Sequence, residues 1–246
     1  MRKNLLKSFL VTSVSCALLT SCVNDAYLVQ PAAVPDQSFV EEFDTIGSAH
    51  ARGWRFINRS SDIGPSNWQQ GFSFPAYSSR GTATGYIAVD SFQTTGTGDA
   101  VASNWAVSPT VTMKNGDKIV FFTRAALVGI QGLPGDSTDR VNRLQVRLNP
   151  SNTLNCGSGR SAGDFTLNIL DINAGYAEAY RPGGIAQAPN GSFPVEWTRF
   201  EATVAGLAQP TTGRFAIRYF VEGAGPDAVG LGGVVGVDRV SYISSK

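Results

Sequence analysis

The sequence predicts an all-β chain, a two-sheet β-sandwich of jelly-roll type. Three observations carry this expectation. Apolar residues recur with period two in several short runs, the spacing of a strand with one face buried and one in water. Twenty-seven glycines and twelve prolines punctuate the 246 residues, too many breakers for a helical body. No stretch shows sustained 3.6-residue periodicity with caps at its ends.

The first 21 residues read as a targeting segment rather than as fold. Arg2, Lys3 and Lys7 form a positive start, and Leu5 to Leu19 is mostly apolar without an acid. That run falls short of the roughly 20 apolar residues a spanning helix needs. It ends in Leu19-Thr20-Ser21-Cys22, which resembles the bacterial lipobox: an aliphatic residue and two small ones before a cysteine. The resemblance implies cleavage before Cys22 and acylation of that cysteine. Two or three acyl chains would anchor the chain firmly to a membrane. Cys16 is a poorer candidate, because Ser13 stands where an aliphatic residue is wanted. Val23, not an acid, follows Cys22; this lacks what would resemble an inner-membrane retention signal and points to the outer membrane. Residues 22–37, polar, small and bearing Pro31 and Pro35, read as a tether. A single domain over 38–246 follows.

Strands are expected near 39–44, 53–57, 68–74, 85–90, 104–113, 117–127, 141–149, 164–172, 196–204, 213–222 and 233–243. Leu144, Val146 and Leu148 share one face, with Arg143, Gln145 and Arg147 opposite. Phe215, Ile217, Tyr219 and Val221 do the same against Arg214 and Arg218. Residues 166–172 alternate less cleanly. Asn115-Gly116, between two β-like runs, predicts a hairpin turn. Long loops at 91–103, 128–140, 150–163 and 173–195 are the natural carriers of binding.

Several chemistries are disfavoured. Three basic residues and no acid leave with the signal, so 17 Lys and Arg face 19 Asp and Glu, a net of −2 with no basic footprint for nucleic acid. Cys156 would be the one cysteine left unmodified, so no internal disulfide forms. His50 is the sole histidine, and nothing in its surroundings suggests that it pairs with a catalytic thiol. Glu178, Glu196, Glu201 and Glu222 offer no spacing that singles out the carboxylate pair of a glycosidase. No phosphate-binding loop or zinc-protease spacing is present. Trp54, Trp105 and Trp197 lie in strand patterns and read as core. Trp68, in Ser66-Asn67-Trp68-Gln69-Gln70, has a polar context and is the best exposed aromatic for ligand binding.

Four segments together resemble the cleaved-adhesin and choice-of-anchor J domains of bacterial surface proteins. They are Glu41-Glu42-Phe43-Asp44 with Gly53-Trp54, then Asn104-Trp105-Ala106-Val107-Ser108-Pro109, then Trp197 with Phe200 and Val204, and Val237-Asp238-Arg239-Val240 near the end. The resemblance covers about residues 39–243. It implies a jelly roll related to MAM and lectin-like folds, adhesion or glycan binding in place of catalysis, and often a structural calcium. Calcium takes six to eight oxygens, and the resemblance puts Glu42, Asp44, Asn104 and Asp238 forward as its ligands. Val237 stands where the family has a second acid. Asp44-Thr45-Ile46 and Asp136-Ser137-Thr138 also resemble short O-glycosylation patterns of some Bacteroidota.

The sequence thus predicts a non-catalytic, lipid-anchored envelope protein that binds a glycan or protein ligand. Two alternatives remain: a glycan-active enzyme on the same scaffold, and a structural subunit of an envelope or fimbrial assembly.

Overall fold

A computed structural model describes residues 34–77, 83–184, 191–227 and 230–246. The targeting segment, Cys22 and most of the tether lie outside the described residues.

Two large antiparallel sheets face each other, as the period-two runs require. The first is built from β1 (Phe39–Glu41), β3 (Gln69–Gln70), β4 (Ile87–Val89), β7 (Lys118–Ala125), β13 (Thr198–Thr203) and β15 (Val235–Ile243). Its order is β13-β7-β15-β4-β3, with β1 also on β15. The second holds β2 (Arg55–Asn58), β5 (Ala100–Val107), β6 (Val111–Met113), β10 (Leu144–Asn149), β11 (Leu167–Ile172) and β14 (Thr211–Ala224). Its order is β11-β10-β14-β5-β2, with β6 on the start of β14. A small third sheet, β8 (Val128–Gly129), β9 (Ser137–Thr138) and β12 (Tyr180–Arg181), ties together two segments expected to be plain loops.

The core lies between the sheets. Leu144, Val146 and Leu148 of β10 stand opposite Tyr219, Ile217 and Phe215 of β14, and all six are buried. Ile119 and Phe121 of β7 and Val235, Val237 and Tyr242 of β15 meet them from the first sheet. Phe215 joins the layers: Tyr242 stacks on it at 5.9 Å and Trp54 meets it edge-on at 5.8 Å. Removing such an aromatic costs about 3–5 kcal/mol.

Within the two large sheets the structure corrects or explains the sequence reading at five points. The expected 104–113 strand is two, because Pro109 has no N–H for the ladder and β6 restarts against a different part of β14. Asn115-Gly116 does not close a hairpin, since β6 and β7 belong to different sheets. Instead the Asn115 amide clasps Leu207, donating to its carbonyl at 2.8 Å and accepting from its N–H at 3.1 Å. Gly116, at φ +95°, then carries the chain across. A six-residue helix, α1 (Ile46–Ala51), is capped by Thr45, whose hydroxyl accepts from the Ser48 N–H; it is too short to show a period. The imperfect alternation over 166–172 is a register shift against Val146 and Arg147 of β10.

The fifth correction concerns Arg218, expected in water and found fully buried. The segment at 155–165 closes over the outer face of the second sheet. Arg218 lies over the rings of Phe220 and Trp105, at 4.0 and 4.6 Å, and donates to Ser103 Oγ, Gly159 O and Ser161 O. Burial pulls its pKa down to about 9, with Arg147 and Arg143 repelling it further.

Candidate ligand-binding face

The residues expected to form a site do not gather in one place. Trp68 is 3% exposed and packs in the core. Its polar neighbours are tied down: Ser66 Oγ and Gln69 Nε2 donate to Asp90, Asn67 Nδ2 donates to Phe56 O, and Asn67 Oδ1 accepts from the Trp68 N–H. A polar context in sequence therefore did not mean an exposed ring. Trp54 and Trp105 are core as expected, whereas Trp197 is half-buried on an outer face.

The four suggested calcium ligands do not converge: Glu42 and Asp44 line one hollow with Glu41 and Arg52, and the other two lie elsewhere. Asn104 shares its side of β5 with the core residues Ala102 and Ala106, so it points between the sheets. Neither atom of its amide finds a hydrogen-bond partner among the described residues. Asp238 shares its side of β15 with Gly236, on the outer face of the other sheet. Glu42 lies 3.8 Å from Arg239, and Asp44 is exposed. Among the described residues no group of three or more acids, cysteines or histidines could hold a metal ion. These four residues do not fit a calcium site.

Catalytic candidates fare no better. Cys156 is buried beside Trp105 and Phe165, and burial pushes its thiol up to about 12. Each of the four glutamates is engaged separately: Glu178 by Thr138, Glu196 by Arg124, Glu201 by Lys118 and Glu222 by Arg160.

What the chain does assemble is an aromatic surface on the outside of the first sheet. The segment 71–77 crosses that face without joining the ladder. Pro75 cannot donate a ladder bond; backbone bonds from Gly71 to Tyr86 O at 2.7 Å and from Ala76 to Ala83 O at 2.8 Å pin the segment near its ends, and side chains hold it between them. The buried Tyr86 Oη accepts from three successive backbone N–H groups, those of Phe72, Ser73 and Phe74, at 3.0–3.1 Å. The Phe74 ring stacks on Tyr86 at 5.0 Å. Both Phe74 and Trp197 occupy the space left by the missing side chain of Gly236, where a Cβ would come within 2.7 Å of Phe74 and 3.0 Å of Trp197. Trp197 meets Phe74 and Tyr86 edge-on, each at 5.4 Å, and its indole N–H donates to Pro75 O at 2.9 Å.

Tyr77 ends the segment. Its backbone N–H donates to Asp238 Oδ2 at 2.9 Å, and its ring lies parallel to Phe122 of β7, 3.6 Å away. Tyr77 is nonetheless 41% exposed. One ring face is covered by Phe122 and the other opens to solvent, with Trp197 6.5 Å to the side at a 65° tilt. Arg124, two residues along β7, sits 4.6 Å over Phe74. The sequence reading missed Tyr77. Its signal was three aromatics in six residues around a proline, a pattern rich in side chains that pack.

A cavity of about 480 Å³ beside β8 and β9, lined by Val128, Ile130, Thr138 and Arg140, is another concave candidate. Among the described residues it has no aromatic wall, and Arg140 is spent on the carbonyls of Gly225, Asp227 and Gly230.

No family model and no curated protein matches the chain. Solved structures do. The K1 cleaved adhesin domain of Lys-gingipain from Porphyromonas gingivalis W83 aligns with a TM-score of 0.50 at 16% identity, over 85% of this chain and 99% of that one. The K2 cleaved adhesin domain of Lys-gingipain aligns with a TM-score of 0.46 at 20% identity, over 85% of this chain and 99% of that one. In fold, with two antiparallel sheets packed face to face and long loops between them, the chain is a cleaved-adhesin-like β-sandwich.

Proposed function

We propose that the chain is a non-catalytic, lipid-anchored binding protein of the cell envelope, and that it holds a glycan on the face formed by Tyr77 and Trp197. The observation that carries this reading is the half-open stack of Tyr77 on Phe122. An aromatic ring fixed from below and open above is a flat apolar plate. The C–H face of a sugar ring covers such a plate well, while polar groups at the rim meet its hydroxyls. The backing is rigid: Asp238, Phe122 and the Tyr86 clamp hold the segment before any ligand arrives, which lowers the ordering cost of binding.

The anchor in this reading is Cys22, supported by the lipobox-like Leu19-Thr20-Ser21-Cys22, and the outer membrane is the proposed site of attachment. Catalysis is not part of the proposal, because the buried thiol and the separately engaged glutamates supply neither a nucleophile nor a facing acid pair.

The test is a glycan-binding screen of the wild-type chain beside Tyr77→Ala. Binding that the variant loses, with its thermal unfolding preserved, supports the assignment. Glycan binding untouched by the variant, or turnover of a glycan, refutes it. Replacing Cys22 by Ser should release the protein from the membrane fraction.

A further inference from the structure

We infer that the glycan held on this face is acidic, and that Arg124 and Arg181 take its anionic group in the place now held by Glu196. The inference rests on the aromatic-face reading above. Its starting point is an uneven ion triad. Arg124 Nη1 lies 3.3 Å from Glu196 Oε2, and Arg181 Nη2 lies 4.0 Å from Glu196 Oε1. One carboxylate thus serves two guanidinium groups, and loosely. The arginine side chains are 18% and 23% exposed, whereas that of Glu196 is 72% exposed. The cations are set into the protein and the anion is not. Each arginine also has a buried Nε–H with no acceptor among the described residues. A guanidinium left with an unused donor in a partly dry setting favours a better-placed oxyanion.

The position of the triad matters as much as its geometry. Glu196 precedes Trp197 in the chain, and the Arg124 guanidinium lies over Phe74, which contacts Trp197. The twin arginines therefore border the aromatic plate. Farther along the same face Arg199 and Lys118 share Glu201, at 2.7 and 2.6 Å. This face thus carries four cations, against two carboxylates at the surface and Asp238 buried beneath Tyr77. This cationic rim stands on a chain that carries a net charge of −2 once the predicted signal is removed. A sugar stacked on Tyr77 with a carboxylate or sulfate directed to the arginines meets both features. Such a group would displace the exposed Glu196 side chain without disturbing any buried contact.

The experiment uses the full chain in detergent and three probes: alginate oligosaccharides for uronate, dextran sulfate for sulfate, and dextran as the neutral control. The expected result is at least about tenfold tighter binding of one acidic probe than of dextran, equivalent to ~1.4 kcal/mol, weakening as salt rises. The two acidic arms separate carboxylate from sulfate. Arg124→Gln and Arg181→Gln should each remove the preference. Glu196→Gln, an exposed change that leaves the fold intact, should tighten acidic binding several-fold by removing the competing carboxylate. Equal binding of acidic and neutral probes, each lost in Tyr77→Ala, overturns the acidic assignment and leaves the aromatic face standing. An acidic preference that survives Arg124→Gln and Arg181→Gln also overturns it. Binding of no probe, with capture of a protein instead, overturns both readings.

Discussion

Tyr77 and Phe122 lie ring on ring, with centroids 3.6 Å apart and planes 15° from parallel. They are 45 positions apart in the sequence and meet because the backbone of Tyr77 is held by Asp238, the residue directly opposite Phe122 on β15. One strand pair thus supplies both the floor of the stack and the bond that fixes its upper ring. Folding spends one side of Tyr77 and leaves the other for a ligand.

Tyr77→Ala should cost about 1 kcal/mol of stability, because the ring is half exposed and its loss opens no core cavity. Glycan affinity should fall by about tenfold or more. Chemical denaturation and a binding titration on the same preparation check the two halves. Tyr77→Phe, which keeps the plate, should retain most of the affinity.

Gly236→Val should disrupt the site from below. Its Cβ would press on Phe74 and Trp197, and overpacking of this kind costs about 1–3 kcal/mol. Trp197 fluorescence should shift and binding should fail, although residue 236 touches no ligand in the proposed arrangement.

Trp68→Ala should lower stability by about 3–5 kcal/mol, the cost of emptying a core aromatic site. If Trp68 instead served as an exposed platform, binding would fall and the denaturation midpoint would barely move.

Acid should weaken the second sheet through Asp171. Burial pushes its carboxyl up, but the paired bonds from Arg143, both 2.8 Å, with Gln145 and Asn168 adding to them, bring it below the ordinary value. A carboxylate lowered by folding stabilises the native state above its unfolded pKa of about 4, and that contribution is lost as pH falls below it. Asp171→Asn should therefore be less stable at neutral pH and show a shallower loss of stability below about pH 4, read by urea unfolding across pH.

Cys156 should resist a thiol reagent at pH 8 in the native protein and react at once in denaturant. Its burial beside Trp105 and Phe165 and a thiol pushed up to about 12 both suppress the thiolate. Fast native labelling would show that the 155–165 cover opens.

The sequence by itself determined the fold class and most of the strand faces. Period two over Leu144–Leu148 and Phe215–Val221 marks the residues that meet across the core, because alternation is a local property of an extended backbone. It could not say which aromatics or charges stay exposed, since that depends on which distant segment covers them. Trp68 and Arg218 are covered, by the core and by the 155–165 segment, while Tyr77 and Trp197 are lifted onto an outer face by Tyr86, Gly236 and Asp238. Asn115-Gly116 has hairpin chemistry, yet its side chain finds Leu207 and the chain changes sheets. In each case tertiary structure decided, because burial and side-chain bonds to remote backbone are contacts between residues far apart along the chain.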